Sequence, residues 1–280
     1  MKILITGANG MLAKEVINIF ANEELILTDV DTLDITNEQA VLEFVKQSNP
    51  EYIINCAAYT AVDKAEEDID LCTKVNVDGP RNLAKAAESI YATLLHISTD
   101  YVFDGEKYLT EIYKEDDITN PQSVYGATKR DSENEVINNC SKHYILRTSW
   151  LFGNGNNFVR TMLKLGKEKT SLNVVNDQHG SPTYAVDLSD IIKQVIEKKI
   201  PYGIYHANNL GFTTWYDFTK EIFEIAKIDC KVNPCSTEEF PRPAKRPKNS
   251  KLAKDKILHA GIEISDYKDA LKRYLEREQL

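Results

Sequence analysis

Short apolar, β-branched runs alternate along the first half of the chain with longer stretches of helical patterning. The runs are KILIT (2–6), LILTD (25–29), EYIINCA (51–57), TLLHIST (93–99) and HYILRTS (143–149), and their continuity suits strands buried on both faces. Between them the pattern predicts helices from Met11, near 38–47, across 74–89 and over 124–139. This rhythm predicts an α/β fold over residues 1–150, a doubly wound parallel sheet covered by helices on both faces. Beyond residue 150 order loosens. The strands shorten to LNVV and GIYHA, and prolines cluster in PRPAKRPKNS (241–250), where each restricts itself and its predecessor to extended or turn backbone. Residues 151–280 therefore read as a smaller C-terminal lobe, with some segments returning to the first domain. The proline-rich piece, without low-complexity neighbours, reads as an ordered loop.

Composition narrows the choice of partner. A chain of 280 residues can hold one large α/β domain or a nucleotide domain with a smaller companion. Its net charge of −9 opposes non-specific attraction to polyanions, so nucleic acid is not an expected partner, although a local basic pocket can still hold a phosphate. Cys56, Cys72, Cys140, Cys230 and Cys235 contain no Cys-x-x-Cys pair, and their odd number suits reduced thiols better than a disulfide or zinc framework. No apolar run approaches the roughly 18 residues of a membrane span, and MKILITG breaks at Gly7, too early for a signal-peptide core. A soluble, cytoplasmic chain is expected.

The first motif, ITGANGMLA (5–13), places Gly7 at a strand end, Gly10 three residues on and Ala13 three further. A strand, a glycine turn and a helix start make a dinucleotide cradle, because small residues let backbone approach a pyrophosphate and the helix N-terminus supplies positive potential. A glycine triplet alone also serves purely structural turns. Asp29 strengthens the cofactor reading, since it closes the second strand where a carboxylate can accept bonds from an adenosine ribose. That carboxylate would repel a 2′-phosphate and so favours NADH; Asp31 and Asp34 read equally as surface charges. The second motif is a tyrosine and a lysine four apart, and it occurs twice: Tyr125 and Lys129 in YGATK, Tyr216 and Lys220 in YDFTK. Helical spacing turns either pair to one face. Position favours the first, because ligands of an open parallel sheet gather at the carboxyl ends of its strands, where STD (98–100) lies. There Lys129 is expected to lower the pKa of Tyr125, Thr99 to orient a carbonyl oxygen, and Asn76 to hold a water or a backbone group near the cofactor.

Together TGANGMLA, NCAAYTAVDKAE, STDYVFDG, YGATK, RTSWLFG, NNFVRTML and NDQHGSPT resemble the dTDP-4-dehydrorhamnose reductases of the extended short-chain dehydrogenase/reductase superfamily. The resemblance runs from Met1 to at least Leu252 and implies a Rossmann-type domain with a substrate-binding lobe. It also implies reduction of the 4-keto group of dTDP-4-dehydro-L-rhamnose by NADPH or NADH, with Tyr125, Lys129 and Thr99 catalytic. Implied cofactor contacts fall on Gly10, Met11, Leu12, Asp29, Asp34, Ile35, Ala58, Tyr59, Thr60, Tyr125 and Lys129, beside Gly7 and Asn76 from the motifs themselves. Implied substrate contacts fall on Thr99, Asp100 and Trp150. Arg246 can add a bidentate grip on the pyrophosphate, or can be a solvated loop charge. The family often prefers NADPH, yet no arginine lies between Asp29 and Asp34 to clasp a 2′-phosphate. Some members form a homodimer bridged by magnesium on glutamates. Glu15 matches one such position, but Val186 stands where another acid is expected, so no metal site is expected here. The five histidines have no metal spacing and read as packed or surface residues. Rival readings are a related nucleotide-sugar reductase or epimerase, and a non-catalytic regulatory subunit like that of methionine adenosyltransferase. A 4,6-dehydratase fits less well, because Tyr101 stands where those enzymes place glutamate.

Overall fold

The structure, a computed structural model, describes residues 1–279. Its first half runs β1 (Lys2–Thr6), α1 (Met11–Ile19), β2 (Glu24–Thr28), α2 (Glu38–Ser48), β3 (Tyr52–Asn55), α3 (Ile69–Thr73), α4 (Gly79–Ser89), β4 (Thr93–Thr99), α5 (Val124–Asn139) and β5 (His143–Thr148). These strands form one parallel sheet in the order β2-β1-β3-β4-β5, with Gly203–His206 added beside β5 as a sixth parallel strand. Strand order reverses between β1 and β3, which opens a crevice at their carboxyl ends.

Ile3, Leu4 and Ile5 are all fully buried because each face of β1 meets a separate core. Ile3 and Ile5 point into a cluster with Leu12 and Val16 of α1 and Leu188, Ile192 and Val195 of the helix Ala185–Lys198. Leu4 points the other way, to Val41 and Val45 of α2 and Leu83 of α4. The period-two alternation of a strand thus reads as one continuous apolar run. GIYHA, which local pattern assigns to the second half, joins the main sheet: Ile204 pairs with Ile145 and Tyr205 with Leu146. Such a pairing across the sequence has no local signature.

A third cluster forms the lobe, where Phe152, Val159, Leu163, Phe218, Phe223, Tyr267 and Tyr274 pack together. They come largely from the helices Phe158–Glu168, Trp215–Ala226 and Tyr267–Arg277, which surround the parallel pair Ser171–Val175 and Lys231–Cys235. The proline-rich segment is ordered by contacts back to the first domain. The Asn249 amide donates to the carbonyls of Lys107, Tyr108 and Glu111, and the Tyr113 and Leu252 backbones pair. Gly105 holds φ +75°, and a Cβ there would lie 2.4 Å from Pro247, so only glycine admits this approach.

Candidate functional site

The glycine turn closes at the carboxyl end of β1. Gly10 donates to the Gly7 carbonyl at 2.9 Å, and the turn feeds straight into α1. Gly7 sits at φ +64°, with the place of its missing Cβ 2.8 Å from the Ala57 backbone, so any side chain here would drive the turn off β3. A cavity of about 380 Å³ lies beside it, lined by Gly7, Asn9, Gly10, Asp29, Asp34, Ile35 and Ala58 among others. Its size and its mix of apolar walls with a few polar groups suit a nucleoside. Asp29 anchors the rim: one carboxylate oxygen accepts from the Asn9 amide at 2.9 Å and the other from Val30 at 2.8 Å. Each oxygen keeps a lone pair for a ribose hydroxyl, and among the described residues no lysine or arginine lines the cavity. Asp34 caps its own turn through Thr36, while Ile35 is buried against Gly79.

The remaining cofactor candidates divide between lining and support. Leu12 is a core residue, so its side chain faces away from the crevice. Met11 is half-buried and reaches toward Gly153. The Asn76 amide grips the Tyr59 backbone from both ends, accepting from its N–H at 2.8 Å and donating to its carbonyl at 3.1 Å. Asn76 lies in a π-helical turn, Lys74–Asp78, and also donates to Thr128 of α5 at 3.2 Å. It therefore fixes loop 57–60 to α5, which is the backbone role among those its sequence allowed. Tyr59 turns its hydroxyl to Asp68 at 2.7 Å, and Thr60 is exposed.

The catalytic candidates meet where β4 ends and α5 begins. Ser123 caps α5 by accepting from Gly126, which sets Tyr125 on its first turn and Lys129 one turn later. Thr99 donates to Asp100 at 3.0 Å and stands beside the Tyr125 phenol, so its hydroxyl lies between carboxylate and phenol. Burial pushes Asp100 up to about 6 despite donors from Ser250 and Thr99. Burial also holds Tyr125 above the ordinary phenol range, opposed by Thr99. Lys129 is fully buried, which lowers it to about 8. Its Nζ donates to the Ile97 carbonyl at 2.7 Å and lies 3.2 Å from His96 Nε2. Here the structure differs from the expected poising: Lys129 turns toward the β4 backbone to donate to Ile97, and burial holds the phenol up rather than down. Tyr101 stands edge-on to Tyr125, with ring centroids 5.6 Å apart.

Trp150 sits directly after β5 at φ +48° and stacks on Trp215 with centroids 3.5 Å apart. Gly180 lies so close that a Cβ there would be 2.7 Å from the indole, so the ring is wedged between Trp215 and Gly180 and only partly open. Arg246 bonds Asp63 at 2.9 Å, and its charge is felt at Tyr101. The sequence did not disclose either partner, Trp215 or Asp63. Glu15 is buried and paired with Arg277 at 3.1 Å, and Val186 packs on the lobe core. Among the described residues no cluster of histidine, cysteine or carboxylate has metal-site geometry, and no helix is long and apolar enough to cross a membrane.

Comparison with known proteins finds matches along the whole chain. Residues 1–280 match the family described as RmlD substrate binding domain. A dTDP-4-dehydrorhamnose reductase of Aggregatibacter actinomycetemcomitans is 42% identical over 287 residues, covering 97% of each chain. The crystal structure of a dTDP-4-dehydrorhamnose reductase from Clostridium acetobutylicum superposes with a TM-score of 0.97 at 50% identity, covering 100% of both chains. That of Bacillus anthracis, solved in complex with NADP, superposes at 0.94 with 42% identity, covering 99% of this chain and 100% of its own.

Proposed function

The chain belongs to the RmlD family, and from that premise we propose that it reduces the 4-keto group of dTDP-4-dehydro-L-rhamnose to dTDP-L-rhamnose, with NADPH or NADH as reductant. The observation that carries this reading is the meeting of Thr99, Tyr125 and Lys129 at the carboxyl end of β4, in a chain that matches the reductases from end to end. When bound, the nicotinamide supplies the hydride. The protein's own part is to bind, to orient and to deliver a proton. Tyr125, kept protonated by burial, is placed to give its proton to the oxygen that forms at the sugar C4. Thr99, tied to Asp100, holds that oxygen beside the phenol. Lys129 grips the nicotinamide ribose, and Gly7 with the start of α1 receives the pyrophosphate. Asp29 accepts from the adenosine ribose.

On the substrate side, Asp100 and the open edge of Trp150 meet the sugar and the base. Arg246 stands near enough to exchange Asp63 for the substrate pyrophosphate. The acidic net charge supports a small-molecule partner rather than nucleic acid, and the unpaired thiols support a cytoplasmic setting. We keep a homodimer without a magnesium bridge as the proposed assembly, since Glu15 already has Arg277.

The test is to incubate the purified chain with dTDP-4-dehydro-L-rhamnose and each reduced nicotinamide, following loss of absorbance and identifying the sugar product. Turnover to dTDP-L-rhamnose is expected, with NADH used at least as well as NADPH. Asp29→Asn, which keeps an acceptor for Asn9 and removes the charge, should move preference toward NADPH. Recycling of bound nicotinamide without net oxidation would indicate an epimerase instead. Capture of a methionine adenosyltransferase without sugar turnover would indicate a regulatory subunit.

A further inference from the structure

Behind Lys129 a row of buried polar side chains crosses the sheet from the glycine turn to α5. Thr6, the residue before Gly7, donates to Asn55 Oδ1 at 2.7 Å, and Ala57 donates its backbone N–H to the same oxygen at 3.1 Å. The Ala57 N–H can only donate, so the Asn55 amide orientation is forced and its Nδ2 must be the atom that faces His96 Nδ1, at 3.0 Å. Nδ1 is therefore an acceptor, and a neutral His96 carries its proton on Nε2. Ser132 Oγ, 3.0 Å from that nitrogen, spends its own proton on the Lys129 carbonyl at 2.6 Å and so receives the Nε2–H. Every member of the row is buried, His96 completely.

We propose that His96 is a positioning residue for Lys129, locked by Asn55 and Ser132 as the Nε2–H tautomer so that the lysine finds no acceptor on the ring. The ammonium must then bond the Ile97 carbonyl and direct its remaining hydrogens to the crevice. With Nε2–H facing it at 3.2 Å, Lys129 finds no acceptor on the ring and bonds the Ile97 carbonyl at 2.7 Å instead. An imidazolium is excluded, because a second proton on Nδ1 would confront the Asn55 amide and set two cations side by side. The same frame joins the phosphate-receiving turn to the catalytic lysine, since Thr6 adjoins Gly7 and Ala57 packs on it. The charged and titratable groups facing Lys129 are His96 from β4, Cys72 from α3 and Glu133 on its own helix.

This inference rests on reading Lys129 as the lysine of the reductase pair, so its test includes readouts that need no turnover. In the wild-type chain, nitrogen NMR of labelled histidine should find His96 neutral with a bare Nδ1; a proton on Nδ1 would overturn the proposal. Carbon NMR of labelled lysine should place the Lys129 titration near 8. Asn55→Asp keeps the acceptor for Thr6 and Ala57 but reverses the demand on His96, forcing Nδ1–H and baring Nε2 toward the lysine. The Lys129 titration should then rise, and adding His96→Leu should remove most of that rise while the carboxylate stays. An equal rise in the single and double variants would mean that charge alone acts, and His96 would be only filler. With substrate, His96→Leu should lower kcat about 10²-fold, as misplacement of a catalytic group does. Unchanged kcat in a folded variant would also refute the proposal. A wild-type chain that shows the bare Nδ1 and the lysine response but reduces no dTDP-sugar would refute the functional reading alone.

Discussion

Two helices of this protein carry a tyrosine as their second residue and a lysine four residues later, under the same kind of cap. Ser123 accepts from the third residue of α5, and Thr214 accepts from the third residue of the helix Trp215–Ala226. Spacing turns each pair to one face, yet their surroundings share nothing. Lys129 is sealed against β4, while Lys220 is exposed, lies over the Tyr216 ring at 5.1 Å and approaches Asp217 at 4.0 Å. The difference is topological. α5 follows the strand that ends in Thr99 and lies along the middle of a sheet that funnels ligands to that edge. The second helix closes a separate aromatic core in the lobe. Four-residue spacing is thus a condition for the chemistry and not its cause; a desolvated face at a strand's carboxyl end supplies the rest.

The sharpest way to break the comparison is to remove one oxygen. Tyr125→Phe keeps the ring against Tyr101 and deletes the proton donor, so kcat should fall about 10²–10⁴-fold with nicotinamide binding largely kept. Steady-state kinetics with cofactor titration checks it. A large loss in Tyr216→Phe, with Tyr125→Phe near wild type, would assign the chemistry to the wrong helix.

Next in size is Lys129→Met. It should weaken nicotinamide binding and lower turnover about 10²-fold, because the proposed grip on the nicotinamide ribose is lost. The pH dependence gives a second reading. Lys129 is an ammonium below about 8 and loses that charge above it, so kcat/KM should decline on the alkaline side from about 8. Asp100 is a carboxylate only above about 6, which sets the acid limb. Stability has the opposite slope. Lys129 titrates below its unfolded value of 10.5, so the folded state binds fewer protons between about 8 and 10.5 and stability rises with pH across that window. The Met variant should lose this rise, as seen by denaturant unfolding at several pH values. Lys220→Met should leave both profiles unmoved.

How much of this the sequence disclosed follows the reach of each signal. β1, β4 and α5 lie at the residues their patterns marked, because burial on both faces or a cap and a helix leave local traces. The third predicted helix segment, 74–89, resolves into a π turn and α4, a distinction that apolar spacing does not carry. Gly7, Asp29, Thr99 and the Tyr125 pair were legible because each serves a motif. Asn55, His96 and Ser132 were not, although a histidine inside the apolar run TLLHIST was a visible oddity. Their partners lie on three different elements, and only the fold brings them into one row.

Smaller effects should come from the stack that links the two regions. Trp215 precedes Tyr216 on the second helix and supports Trp150, so the lobe helix can serve the site through packing alone. Trp150→Ala should weaken dTDP-sugar binding by about 1–3 kcal/mol with nicotinamide affinity nearly unchanged. Trp215→Ala should give a fraction of that loss, measured by calorimetry with dTDP. Equal losses for sugar nucleotide and cofactor in either variant would make the stack a folding element rather than part of the substrate edge.

The smallest effect should come from the second pair itself. Lys220 is exposed, its ion pair with Asp217 is long, and its contact with the Tyr216 ring lies at a solvated helix surface. Exposed pairs of this kind contribute little, because water screens the charge and ordering the side chain costs entropy. Lys220→Met should therefore change unfolding free energy by no more than about 0.5 kcal/mol and leave kcat, KM and nicotinamide affinity within error. Tyr216→Phe should match it, since the ring that packs on the lobe core remains. Denaturant melts and steady-state kinetics on both variants check this. A loss of substrate binding confined to Lys220→Met would show that the lobe helix reaches the sugar nucleotide after all. The two helices would then differ in what they hold, with burial no longer deciding which of them works.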